Sequence, residues 1–318
     1  MAFINDTEDI RQFYKISKLI GTGSFGTVKL GHHIETPDRA VAIKSILKEK
    51  VKKKEVLERE LNTLKKLDHP NIIKFYETYD DGKYVHFVME YCAGGDLFER
   101  LESPNEPMIT EDQVKTIMHK LIKTVLYMHK KNIVHRDLKL ENILLNGPTF
   151  DADIKIIDFG LSTFINENEM LNLHSKVGTP LYVAPEVHDG IYKFECDVWS
   201  LGVILYFLLA TEPPFLAANL KDTYALAKAG IVEFNEEIWK FYSDEAKDLI
   251  LKMLKVQINE RITLKKALLH PWFKTKINSK MAESKINFDK INKRLIRNIT
   301  CYSASSRLKK EALKYLAN

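Results

Sequence analysis

The sequence predicts an α+β chain in two parts, a small antiparallel-sheet part over residues 14–90 and a larger, mainly helical part over 91–273. Three observations carry this expectation. Residues 14 to 47 alternate apolar and polar positions around glycines, as in Tyr14-Lys15-Ile16-Ser17-Lys18 and Thr27-Val28-Lys29-Leu30, which is the period of strands joined by short turns. From Val56 the period changes, and Leu57, Leu61, Leu64 and Leu67 recur at helical spacing with Glu60 beside them. Beyond Gly94-Gly95 the apolar pattern is helical almost throughout.

Taken in order, residues 1–13 read as an extension ahead of the first strands. Two further strands are expected at about 72 to 78 and 84 to 90, the second ending at Met89-Glu90-Tyr91-Cys92. Thr110 and Gln113 form a capping box, after which Val114, Ile117, Leu121, Val125 and Met128 define a buried helix face. Helical patterns follow near 195 to 210, 219 to 229, 243 to 254 and 263 to 269, with Ser243 as an N-cap. The apolar run Val198 to Ala210 is shorter than the roughly 20 residues a membrane-spanning helix needs, so it reads as a core helix.

A chain of 318 residues with 45% hydrophobic content can bury a large core. Three cysteines, Cys92, Cys196 and Cys301, have no metal-ligand spacing and no even count, so reduced thiols and a cytoplasmic setting are expected. The start, Met1-Ala2-Phe3-Ile4-Asn5-Asp6, lacks the features of a signal peptide and the glycine needed for myristoylation. Nine Lys or Arg against Asp289 and Glu311 give residues 285–318 a charge of +7, which against +5 for the whole chain leaves −2 for residues 1–284. Basicity confined to a tail argues against a nucleic-acid partner.

The run His135-Arg136-Asp137-Leu138-Lys139-Leu140-Glu141-Asn142, with Asp158-Phe159-Gly160 after it, is the densest chemistry in the chain. Alone, His-Arg-Asp is a solvated turn. Together the run offers a carboxylate to orient a hydroxyl (Asp137), a cation (Lys139) and oxygen ligands for magnesium (Asn142 and Asp158), the set that phosphoryl transfer requires. Upstream stand Gly21-Thr22-Gly23-Ser24-Phe25-Gly26-Thr27-Val28 and Val41-Ala42-Ile43-Lys44, and downstream Ala184-Pro185-Glu186. Gly26 leads into a strand and not a helix, which separates this glycine loop from a dinucleotide-binding turn, and no Gly-Lys-Ser/Thr of a Walker loop is present.

In this order and separation the motifs resemble those of the eukaryotic protein kinases over residues 14 to 273. The resemblance implies a bilobal kinase fold and an enzyme that uses ATP and Mg2+. It makes Asp137, Lys139 and Lys44 catalytic. Gly21, Gly23, Gly26, Val28, Ala42, Lys44, Glu60, Met89, Glu90, Cys92 and Leu144 become ATP-binding residues, with Met89 at the back of the adenine pocket. Glu60, sixteen residues after Lys44, is its expected partner; Glu58 competes, but two positions along a helix is about 200° of rotation, so only one can face the lysine. His135 and Phe159 read as packed residues, Glu186 with Arg261 as a buried scaffold pair, and Asp197 as the acid beneath the catalytic loop. Thr179 matches the family threonine that contacts the catalytic aspartate, and Ser175 the activation-loop phosphosite. A pseudokinase scaffold is the competing class, and the presence of Lys44, Asp137, Asn142 and Asp158 argues against it.

Asp96, Glu99 and Glu141 fall where kinases that favour basic substrates place carboxylates, so protein substrates with arginine before the serine or threonine are expected; the alternative is three ordinary surface acids. Lys139 favours a serine/threonine enzyme. Past the kinase region, Phe288, Ile291, Leu295 and Ile299, then Leu308, Ala312 and Tyr315 with Leu316, repeat at helical spacing among basic residues, the pattern of a helix bound by a calmodulin-like calcium sensor. This segment, residues 274–318, resembles the junction of the calcium-dependent protein kinases of plants and apicomplexan parasites. No calcium-binding loop of the Asp-x-Asp-x-Asp-Gly type occurs, so the sensor is expected either fused beyond the junction of a longer protein or acting in trans on a separate calmodulin-regulated kinase. Arg297 lies three residues before Thr300, making Thr300 a candidate autophosphorylation site in a tail that blocks the substrate site. A monomer is expected.

Overall fold

The computed structural model describes residues 4–6, 9–22, 26–51, 54–103, 108–164, 171–172, 179–217 and 219–275. They fall into two compact units, one drawn from Met1–Gly95 and Asn142–Phe164, the other from Asp96–Glu141 and Ile165–Asn318. Packing therefore groups residues 142–164 with the sheet, where a single cut after residue 90 would have put them with the helices.

In the first unit the period-two stretch forms β2 (Tyr14–Thr22), β3 (Gly26–His33) and β4 (Ala40–Leu47), joined antiparallel in sequence order. After them come β5 (Phe75–Asp80) and β6 (Tyr84–Glu90), and the five strands lie in the order β5-β6-β4-β3-β2. The fifth strand begins three residues later than expected, because Ile72 and Ile73 are buried against the hairpin Ile143–Leu145/Ile154–Ile156 instead. Ile72 bridges Ile156, and the Ile73 amide donates to the Ile156 carbonyl at 3.0 Å. Helix α1 (Lys54–Lys66) buries Leu61 and Leu64 on the predicted stripe.

The extension is part of this sheet. β1 (Ile4–Asp6) adds a sixth strand, parallel to β5, with Ile4 opposite Thr78. Ile10 and Tyr14 then pack with Val41, Ile43, Tyr79 and Val88 into one buried cluster. Val41 and Ile43 alternate with Ala42 and Lys44 along β4, so this cluster covers one face and leaves the other for Lys44. Close strand approach also explains Gly26: a β-carbon there would lie 1.8 Å from the Ser45 carbonyl oxygen.

The second unit is helical: α2 (Leu97–Glu102), α3 (Glu111–Lys130), α4 (Pro185–His188), α5 (Glu195–Ala210), α6 (Leu220–Ala229), α7 (Glu236–Trp239), α8 (Asp244–Met253) and α9 (Leu264–Leu268). The Thr110/Gln113 capping box is present, and the Ser243 hydroxyl accepts from the Ala246 amide. α5 is buried from Cys196 to Ala210 and packs on α3 and α8, which explains its continuous apolar sequence. Among the described residues no helix is long and apolar enough to cross a membrane.

Candidate active site

Within the sheet unit, β4 carries Lys44 to a point 2.6 Å from Glu60 Oε1 and 3.5 Å from Asp158 Oδ1. Glu60 is buried on α1, whereas Glu58, on the far side of the helix, is exposed. Burial works against the Lys44 charge, but Glu60 and then Asp158 outweigh it and hold its pKa well above the ordinary lysine value. The ammonium is thus fixed as a cation. Strand register sets Val28 opposite Lys44 and Ala42 opposite Met89, so all four share the face opposite the Ile10 cluster. Cys92 is buried, and burial, then Glu90, push its thiol up to about 12, which keeps it protonated and inert. The Glu90 carboxylate is tied to Lys155 at 2.8 Å and to the Lys74 amide at 3.2 Å, bracing the end of β6.

Asp158 adopts φ +61°, a left-handed conformation uncommon for a side chain other than glycine. Its carboxylate accepts from the Gly160 amide at 3.3 Å. A β-carbon on Gly160 would stand 3.3 Å from Asp158 Oδ1 and 3.4 Å from Glu60 Oε2, so glycine lets the chain pass close to both acids. Asn142 is buried, and its carbonyl accepts from the Ile157 amide at 2.9 Å, which fixes it beside the strand leading to Asp158. Magnesium prefers oxygen donors and takes one or two from protein, completing its shell with phosphate and water. The Asn142 amide oxygen and the half-exposed Asp158 carboxylate fit that preference. Among the described residues no cluster of three or more His, Cys, Asp or Glu forms a self-contained cage.

In the helical unit, Asp137 is held from both sides. The Thr179 amide and hydroxyl donate to Oδ1 at 3.1 and 3.2 Å, and Lys139 Nζ lies 3.0 Å from Oδ2 and 2.8 Å from the Thr179 hydroxyl. Beneath them Asp197 is fully buried. It accepts from the His135 amide (3.0 Å), the Arg136 amide (3.0 Å) and His129 Nε2 (2.8 Å). Burial alone would raise this carboxyl, but the His129 and His135 contacts prevail and hold it below the usual range. Asp197 thereby pins Arg136, which has φ +68°, and sets the turn that presents Asp137. His135 is fully buried, its Nδ1 facing the Asp137 amide at 3.3 Å, and belongs to the scaffold. Arg261 grips Glu186 through two bonds of 2.6 and 2.9 Å.

A profile described as the protein kinase domain matches residues 14–273. The chain belongs to the protein kinase family. Members use ATP with Mg2+. The kinase is 36% identical over 320 residues to calcium-dependent protein kinase 3 of Plasmodium yoelii yoelii, covering 100% of this chain and 57% of the relative. Calcium-dependent protein kinase 14 of Arabidopsis thaliana is 40% identical over 316 residues, 97% of this chain and 57% of that protein. Calcium/calmodulin-dependent protein kinase type 1 of Macrobrachium nipponense is 41% identical over 261 residues, 81% of this chain and 74% of the relative. The relatives are those of the calcium-regulated serine/threonine group. The chain spans just over half the length of the two calcium-dependent relatives.

In this kinase the three candidate substrate acids lie within the helical unit and within electrostatic reach of one another. Asp96 is the N-cap of α2, accepting from the Glu99 amide at 2.8 Å. Burial pushes its carboxyl up to about 7, with Glu99 and Glu141 adding to the rise. Glu99 is exposed and Glu141 half-buried. This capping role adds to the one expected for Asp96, and its signal is the Asp96-x-x-Glu99 spacing at a helix start. Gly23, Ser175, Thr300 and the tail lie outside the described residues.

Proposed function

We propose that the kinase transfers the ATP γ-phosphoryl group to serine or threonine hydroxyls that follow an arginine, under the control of its basic tail and a calmodulin-like calcium sensor. The observation that carries the catalytic part is Lys44, held as a cation between Glu60 and Asp158. In this reading Lys44 binds the α and β phosphates and Glu60 keeps it in place. Asn142 and Asp158 hold Mg2+, which when bound neutralises charge on the transferring phosphates. Gly21, Gly23 and Gly26 let the loop backbone approach the phosphates, and Val28, Ala42, Met89, Glu90, Cys92 and Leu144 take the adenine. Asp137 receives the hydroxyl proton as the new O–P bond forms and ADP leaves, while Lys139 neutralises the γ phosphate.

Asp96, Glu99 and Glu141 give the substrate site its preference for arginine. The basic tail, with Arg297 preceding Thr300, occupies the same acids until a calcium sensor removes it; Ser175 in the activation loop and Thr300 in the tail are the phosphosites. Location in the cytoplasm and a monomeric state complete the proposal.

Labelled ATP and an arginine-containing peptide, with and without calcium and calmodulin, test it. Transfer that falls when the arginine is replaced supports the reading, and no transfer to any peptide under either condition favours the pseudokinase. Truncation after Ser279 tests the tail: higher basal transfer is expected, and unchanged or lower transfer would refute inhibition.

A further inference from the structure

Asp158 sits in a left-handed backbone conformation that costs energy, so neighbouring groups must hold it there. The contacts four residues on supply a restraint. The Ser162 amide and hydroxyl both donate to the Phe159 carbonyl, at 3.0 and 2.6 Å, closing the turn that follows Asp158. The same hydroxyl stands 3.4 Å from the hydroxyl of Thr63, one helical turn after Glu60 on α1. Both side chains are fully buried, and Phe159 is 1% exposed.

Two hydroxyl protons serve three contacts. Thr63 donates to the Arg59 carbonyl at 2.8 Å, but that carbonyl already accepts the helical N–H of Thr63 itself. The Phe159 carbonyl likewise keeps the Ser162 amide. Either hydroxyl can therefore turn toward the other without leaving a buried carbonyl unpaired. The pair is a joint between the helix that carries Glu60 and the turn that carries Asp158, and Lys44 closes the triangle from β4.

We propose that Thr63 and Ser162 are positioning residues for magnesium: the buried hydroxyl joint holds Asp158 in its ligating conformation relative to Glu60. The inference rests on the reading of Asp158 as a metal ligand. Groups that hydrogen-bond a metal ligand directly are worth about 10–100-fold in metal affinity, and a joint that acts through the turn behind the ligand belongs at the low end of that range.

The test measures binding of a non-hydrolysable ATP analogue to the full chain by calorimetry, once in excess Mg2+ and once in EDTA. The ratio of the two affinities reports the metal alone. Ser162→Ala and Thr63→Val should each shrink the Mg2+-dependent gain by about tenfold while leaving affinity in EDTA unchanged, and Thr63→Ser should restore it. The double variant should be no worse than either single one, since both break one joint. A gain unchanged in Ser162→Ala overturns the proposal, as does an equal loss with and without Mg2+, which would mark a merely structural role. Asp158→Asn is the reference: if it leaves the gain intact, the metal reading itself fails and the positioning role with it. If it abolishes the gain while the joint variants do not, only the positioning role fails. Thr63→Ser keeps the hydroxyl and so reads the joint even if the apolar variants fold poorly.

Discussion

Lys44 meets Glu60 through one bond of 2.6 Å, with Asp158 3.5 Å away and 21% of the lysine side chain still exposed. Arg261 meets Glu186 through two bonds, has no exposed side chain, and spends two further N–H groups on the Lys255 and Glu195 carbonyls at 2.9 and 2.8 Å. Its guanidinium also lies 5.1 Å from the centroid of the Trp199 ring. A lysine ammonium is a compact charge on a flexible stem, whereas a guanidinium is a planar fork that matches a carboxylate at two points. The first pair is partly open and can admit a phosphate as a further partner; the second has four of its five guanidinium N–H donors committed and no side-chain surface of the arginine exposed to solvent. One pair is partly open and arranged for exchange, the other fully enclosed and arranged for permanence.

The contrast is open to attack at several points. The largest effect should come from Asp158→Asn, which removes charge beside Lys44 and a proposed metal ligand; kcat should fall by about 10²-fold or more, the scale of losing one electrostatic group in an active site. The melting curve should stay near that of the parent protein, because the side chain is half exposed and outside the core. Wild-type kcat in this variant would remove Asp158 from the mechanism.

Next in size, Arg261→Met should lower unfolding free energy by about 3–5 kcal/mol, because it strands Glu186 and two carbonyls. Chemical denaturation should show a smaller loss for Lys44→Met. Equal losses would erase the distinction between the pairs.

Ile10→Ala should cost about 2–5 kcal/mol despite lying in the extension, as expected for a side chain 2% exposed within an aromatic and aliphatic cluster. A loss under about 0.5 kcal/mol, the usual effect of a surface change, would show that residues 9–14 do not stabilise the sheet.

The smallest effect concerns Asp96. Its folded pKa of about 7 lies above the ordinary 3.8, so its contribution to stability is fully present below the lower value and is lost as pH rises toward the upper one. The same deprotonation creates the carboxylate that would bind arginine. KM for arginine peptides should therefore fall several-fold as pH rises through about 7. Asp96→Asn, which keeps a good N-cap, should remove that pH dependence and spare arginine-free peptides. An unchanged profile would assign the acid to capping alone.

Local pattern made much of this architecture readable. Tyr14 to Leu47 show strand periodicity because one face packs and the other does not, and α5 reads as buried because it is enclosed along its whole length. The start of β5 is not legible because Ile72 and Ile73 are as apolar as strand residues but pair with Ile156 from a hairpin far along the chain. β1 left no signal, since three residues cannot display a period. In the site, Lys44, Asp137 and Asp158 stand in short runs whose composition reflects their chemistry. The Thr63–Ser162 joint does not: its members are 99 positions apart, and each alone is an unremarked small polar residue.

The division between exchangeable and permanent pairs is tested most directly by single-turnover phosphate transfer at saturating ATP and Mg2+, expressed per folded molecule. Lys44→Met should lose about 10²-fold or more, whereas Arg261→Met, at a temperature where it remains folded, should transfer at close to the parent rate. Comparable losses per folded molecule in the two variants, or parent-like transfer by Lys44→Met, would contradict it.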